Sequence, residues 1–121
     1  MMQLKSNIFL IGMMGSWKST IGKKLALLLK LKFIDTDDEI ERLYKLSVSQ
    51  IFKKYGEDEF RKLEMEYFLK KSVQPGYVIA TGGGIVIRKE NRVALQKNGL
   101  SIFLKASPKT LSQRIKNTKK R

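Results

Sequence analysis

Apolar and polar positions come in short blocks along this chain. Residues 8–11 are a continuous apolar run, as expected of a strand covered on both faces. After it, Ile21, Leu25, Leu28 and Leu29 recur at helical spacing and predict a helix over 18–30. A second, mostly apolar segment, Leu31, Lys32, Phe33 and Ile34, leads into Asp35, Thr36, Asp37 and Asp38 and predicts a strand with an acidic carboxyl end. A helix from about Asp38 to Tyr44 should follow. Ser47 or Ser49 can cap a short helix through Ile51 and Phe52, with Gly56 suited to its end. Phe60, Leu63 and Tyr67 share one face of a helix over 57–71, and Gln74, Pro75 and Gly76 make a turn. Residues 77–80 read as a third strand that ends in Thr81, Gly82, Gly83 and Gly84. A helix over 91–97, a fourth strand over 100–104 and a helix started by Ser107 and Pro108 complete the pattern.

Strands alternating with helices predict an α/β fold in one domain, 1–121, with a parallel sheet and helices on both faces. Ligands of such sheets sit at the carboxyl ends of the strands. The loop 12–17, the acids 35–37 and the glycines 82–84 all follow strand ends, so they should converge on one crevice.

The loop after the first strand carries Gly12, Gly15, Ser16, Trp17, Lys18, Ser19 and Thr20. It follows G-x-x-x-x-G-K-[ST] at every fixed position but one, where Trp17 replaces the second glycine. Such a loop turns its amides inward around phosphates and adds the positive end of the following helix. Lys18 would reach the β- and γ-phosphates and the Ser19 hydroxyl would ligate Mg²⁺. Glycine serves at position 17 because backbone must approach phosphate closely and adopt dihedrals that side chains resist. The indole therefore either blocks the nest or swings outward from a strained loop. The plainer alternative is a strand-loop-helix corner without a ligand.

Composition narrows the chemistry. The 121 residues contain neither cysteine nor histidine. Disulfides and thiolate metal sites are excluded, and any general base is a carboxylate, a lysine or water. No apolar run approaches the ~20 residues of a membrane span. The chain enters its first strand almost at once, leaving no room for a signal peptide, so a cytoplasmic monomer without membrane partners is expected. The net charge is +14, yet ten of the eleven acids lie between Asp35 and Glu66. The bases are mostly scattered lysines, and Trp17 and the four tyrosines do not form a stacking platform, so nucleic acid is not expected as a partner.

Asp35 and Asp37 would share one face of an extended segment. One carboxylate could hold Mg²⁺ through water while the other accepts a proton from a substrate hydroxyl. No aspartate ends the third strand, so the metal role falls to Asp35. Acids at a helix start are also favoured by the macrodipole alone, which is the simpler account of Asp38 and Glu39. Arg61 and Glu64, at i and i+3, read from spacing as a solvent-exposed ion pair, although arginine can also grip a carboxylate with two bonds. Three successive glycines, Gly82, Gly83 and Gly84, are more than a turn needs and would let backbone approach a ligand.

Taken in order, these motifs resemble the shikimate kinase family over the whole chain. The family has a loop like 12–20, a D-x-D like Asp35 to Asp37, a G-E-x-x-F-R-x-x-E like Gly56 to Glu64, and a glycine triplet followed by Asn91-Arg92. The resemblance implies a three-layer P-loop NTPase fold of the nucleoside monophosphate kinase type. It implies ATP-dependent phosphorylation of the shikimate 3-hydroxyl in aromatic amino-acid biosynthesis. Gly15, Ser16, Trp17, Lys18, Ser19 and Thr20 would then hold ATP phosphates. Arg114 would pack on adenine, and Arg121 would be the arginine with which the lid sequence begins. Asp37, Arg61, Gly82, Gly83 and Gly84 would hold shikimate, with Arg61 on its carboxylate. Asp37 and Lys18 would be catalytic, and Ser19 and Asp35 would serve Mg²⁺. Family members continue with the rest of the lid, a fifth strand, a further shikimate-binding arginine and a C-terminal helix, which this chain is expected to lack. The competing expectations are another small P-loop kinase, of gluconate or adenylate kinase type, and a non-catalytic truncated copy.

Overall fold

The computed structural model describes residues 6–12 and 17–104. The elements run β1 (Asn7–Gly12), α1 (Lys18–Leu29), β2 (Lys32–Asp35), α2 (Thr36–Tyr44), α3 (Val48–Tyr55), α4 (Glu57–Ser72), β3 (Tyr77–Ala80), α5 (Lys89–Asn98) and β4 (Gly99–Leu104). The helix expected from Ser107 lies outside the described residues, as do Gly15, Ser16, Arg114 and Arg121.

The strands form one parallel sheet in the order β2-β3-β1-β4. Register sorts the side chains between two faces. Phe9 and Ile79 are paired neighbours and pack with Phe68, Ile85, Ala94 and Leu95 under α4 and α5. Leu10 and Val78 point the other way, against Ala26 of α1. A third cluster, Ile40, Ile51 and Phe60, joins α2, α3 and α4 beside the sheet.

Helix α1 buries only part of the expected stripe: Ile21 packs against the Leu10, Ala26 and Val78 cluster, but the fully buried positions are others. Gly22 and Ala26 face the sheet, while Leu28 is 80 % exposed and Leu29 is 49 % exposed. A Cβ on Gly22 would run into the Phe33 ring and come within 3.1 Å of Leu10, so the small residue sets how closely helix and sheet approach. Leu28 lies about 200° around the helix from Ala26 and cannot share its face. Helix α2 starts at Thr36, two residues earlier than expected, because the Asp35 side chain accepts from the Asp38 amide at 3.1 Å. Asp37 therefore sits in the first turn of a helix, and the expected extended pairing with Asp35 does not occur. Ser47, of the two candidate caps, makes the capping box on α3 with Gln50.

Candidate active site

β1, β2 and β3 deliver their carboxyl ends to one side of the sheet, where the acids after β2 and the glycines after β3 meet as expected; of the loop 12–17, residues 13–16 lie outside the described residues. A pocket of about 780 Å³ is lined by Asp35, Asp37 and Asp38 at the start of α2, by Val48, Ser49 and Phe52 of α3, and by Arg61 and Glu64 of α4, with Gly83, Gly84 and Ile87 opposite.

At the phosphate-loop side, Lys18 donates from Nζ to the Gly12 carbonyl at 2.6 Å. Burial lowers its pKa, opposed by the charges of Asp37 and Asp35. The Ser19 hydroxyl donates to Asp35 Oδ2, so the two residues expected to serve a metal touch each other. Trp17 precedes α1 with φ 64 and ψ 31, and its side chain is 57 % exposed. The indole has swung outward, and the backbone holds the left-handed conformation that glycine would adopt without strain. Trp17 supplies no side-chain cap to the helix.

Arg61 and Glu64 are not the exposed pair that their spacing suggests. Glu64 is 1 % exposed, and Arg61 donates to it from Nη1 at 3.2 Å. Glu57 takes only a weak contact from Arg61 Nη2 at 3.5 Å. The guanidinium lies 5.4 Å from the Phe60 ring centroid and 5.7 Å from that of Phe52. Burial raises the Glu64 pKa despite Arg61. Asp37 is pushed up to about 6, first by burial and then by the neighbouring charges of Asp35 and Glu41, with Arg61 opposing. Asp37 Oδ1, Glu64 Oε2 and Arg61 Nε are buried without hydrogen-bond partners. Two acceptors and a donor left open beside one pocket suit a polar guest that brings both hydroxyl donors and an acceptor.

Two glycines of the triplet, Gly82 and Gly84, are needed for close packing. A Cβ on Gly82 would lie 2.6 Å from Asp37 Oδ1 and 2.8 Å from Glu64 Oε2, and one on Gly84 would collide with the Arg61 guanidinium. Any side chain at 82 or 84 would displace the charges that define the pocket.

Sequence reasoning missed Glu64 as a pocket residue, and also the apolar wall of Val48, Phe52 and Ile87. Glu64 had a signal: Phe60, Glu64 and Phe68 fall at i, i+4 and i+8, which puts a carboxylate on a buried stripe. The wall had none, because it gathers residues from α3 and from the turn after β3.

Solved structures place this arrangement in a class. Shikimate kinase from Acinetobacter baumannii, solved in complex with shikimate, superposes with a TM-score of 0.83 at 37 % identity over 97 % of this chain and 65 % of that one. Shikimate kinase from Aquifex aeolicus gives 0.79 at 38 % identity, over 86 % of this chain and 62 % of that one. The fold is thus an α/β fold of the P-loop kinase type. A gluconokinase from Sinorhizobium meliloti shares it at a TM-score of 0.58 and 19 % identity, over 93 % of this chain and 65 % of that one, a likeness of fold alone. Within that class the chain belongs to the shikimate kinase family, whose description matches residues 14–121. Among curated relatives, the shikimate kinase of Caldanaerobacter subterraneus is 49 % identical over 95 % of this chain, and that of Pasteurella multocida is 46 % identical over 97 %. The chain spans 67 % of the length of each.

Proposed function

We propose that this chain binds ATP and shikimate and transfers the γ-phosphoryl group to the shikimate 3-hydroxyl, as a single-domain cytoplasmic monomer. The observation that carries the proposal is the buried Asp37–Arg61–Glu64 group with its open donor and acceptors, next to Lys18 and Ser19.

Each residue has a task that its surroundings support. Arg61 meets the shikimate carboxylate with its guanidinium, already stacked near Phe52 and Phe60 and held by Glu64. Asp37 accepts the hydroxyl proton. A carboxyl near 6 is mostly ionised at neutral pH, yet it is a stronger base than an ordinary aspartate. Gly82, Gly83 and Gly84 bring backbone to the sugar-like ring. Lys18 neutralises charge on the transferring group, and Gly15 to Thr20 hold the phosphates. Arg114 would pack on adenine and Arg121 would belong to the lid. Ser19 and Asp35 would hold Mg²⁺: hydroxyl and carboxylate are hard oxygen donors, and a magnesium ion takes its remaining ligands from phosphate and water. When bound, that ion supplies neutralisation of phosphate charge.

The test is ADP release with Mg-ATP in the presence and absence of shikimate, beside calorimetric titration of shikimate alone. Shikimate-dependent ADP formation, abolished by Asp37→Asn and weakened in KM by Arg61→Ala, is the expected result. A chain that neither binds shikimate nor responds to it would end the proposal. ADP release stimulated by gluconate instead would favour the other kinase type, and nucleotide binding without transfer would favour a non-catalytic copy.

A further inference from the structure

The turn between β3 and α5 forms one wall of the pocket, yet little holds its far end. Ile85 anchors its middle, fully buried in the core. Beyond it, Val86 is 42 % exposed and Ile87 is 57 % exposed. Two backbone bonds fold the turn, from the Ile85 amide to the Gly82 carbonyl at 3.2 Å and from the Ile87 amide to the Gly84 carbonyl at 3.1 Å. Arg92, one turn into α5, donates to the carbonyls of Val86 and Ile87 from a single nitrogen: Nη1 lies 2.6 Å from the Val86 oxygen and 3.1 Å from the Ile87 oxygen. Among the described residues, the other side-chain tether at this end is Arg88 Nη2 on the Asp58 carbonyl, at a weak 3.5 Å.

We infer that Arg92 is a positioning residue: its guanidinium clamps the 84–88 turn, and so fixes Gly84 against Arg61 and Ile87 at the pocket wall. The chain of contacts is short. Gly84 sits so close to the Arg61 guanidinium that a methyl group would not fit between them. Gly84 and Ile87 both line the pocket. A charge-assisted bond to each of two adjacent carbonyls removes the freedom of the exposed segment that connects them. Released from Arg92, the largely exposed Val86 and Ile87 depend on the Ile87–Gly84 backbone bond, and the space over Arg61 widens. The effect on substrate rests on the function proposed above, whereas the clamp itself does not.

Because one nitrogen makes both bonds, a lysine ammonium can replace it, and a methionine keeps the stem without the donors. The experiment uses the whole chain, Arg92→Met and Arg92→Lys, with Lys97→Ala as a surface control. Hydrogen exchange at the Ile85 and Ile87 amides and the Nε–H resonance of Arg61 are read without ligand, and the Kd for shikimate is read by calorimetry. Arg92→Met should speed exchange at Ile87 by about tenfold or more, shift the Arg61 resonance and weaken shikimate about tenfold, with Mg-ATP affinity unchanged; Arg92→Lys should restore most of each. Unchanged exchange and an unmoved Arg61 resonance in Arg92→Met would overturn the clamp. Faster exchange with the Arg61 resonance and shikimate affinity unmoved would overturn its service to the pocket. Should the parent chain fail to bind shikimate, the proposed function falls, and the two ligand-free readouts still decide the clamp.

Discussion

At position 17 the chain keeps a conformation that favours glycine and fills it with tryptophan. Trp17 holds φ 64 in the free chain, with its indole largely in solvent. Strain present before binding weighs on folding and cancels from affinity. A non-glycine residue in this region costs roughly 1–2 kcal/mol, and glycine's greater freedom when unfolded offsets about half of that. Trp17→Gly should therefore stabilise the chain by about 0.5–1 kcal/mol in urea unfolding and change the Mg-ATP Kd by less than about tenfold. A large tightening would mean that the free loop relaxes away from the nest and is reformed on binding. Asp37 illustrates the opposite trade. Held near 6 instead of its ordinary 3.8, it binds its proton more tightly when folded than when unfolded. Stability from this group is thus greatest below about pH 4 and falls as the pH rises to about 6. Asp37→Asn should stabilise the unliganded chain by about 1–3 kcal/mol at pH 7 and by nothing near pH 3.5, while lowering kcat by about 10²–10⁴. Equal unfolding midpoints for the two proteins at pH 7 would show that Asp37 carries no such burden.

At the scale of elements, the side of the pocket formed by α3 and α4 depends on how those helices meet. Gly56 ends α3, donating its amide to the Phe52 carbonyl at 2.8 Å, and precedes α4, accepting from the Phe60 amide at 3.2 Å. Its φ is 91, and a Cβ there would meet nothing within 4 Å. Any penalty for a side chain is thus one of backbone conformation and not of collision. Gly56→Ala should cost about 1–2 kcal/mol of stability, less glycine's entropy term, and leave pocket chemistry intact. Gly84→Ala should do the reverse: the added methyl strikes Arg61, so shikimate affinity falls by at least about tenfold with a smaller loss of stability. Thermal unfolding and calorimetry on the two variants separate these outcomes. If Gly56→Ala lost shikimate affinity as severely as Gly84→Ala, the joint would be part of the binding surface and not only its scaffold.

For the whole molecule, the dominant electrostatic fact is a net charge of +14 in 121 residues. Arg42–Glu39 and Arg61–Glu57 are ion pairs with at least one exposed partner and contribute little. Repulsion among the many lysines outweighs them, and salt screens both over a length of about 10 Å at 0.1 M. Raising the salt from about 0.02 to about 0.2 M should therefore raise the melting temperature by a few degrees. A fall would show that ion pairs, and not repulsion, govern the folded state. Among the described residues no helix is long and apolar enough to cross a membrane, in keeping with this lysine-rich composition.

The sequence alone determined the order of strands and helices, the parallel sheet and the place of the crevice. Those depend on local periodicity and on the rule that ligands collect at strand ends, and both are written in neighbouring residues. It also marked Lys18, Asp37 and Arg61 as candidate site charges, since each lies in a short contiguous motif. Tertiary structure decided what lay between elements. It turned an i, i+3 ion pair into a buried one, because α4 is packed on two sides and Glu64 falls on its inner stripe. It moved Asp37 from an extended face to a helical turn through one cap at Asp35. It chose Gly22 and Ala26 over Leu28 as the face of α1, because close approach to Phe33 favours small side chains. It also gave the glycines at 82 and 84 their reason, which is the room taken by Asp37, Glu64 and Arg61 from other elements. Burial and contact across elements depend on the summed packing of distant segments, and no local pattern encodes them.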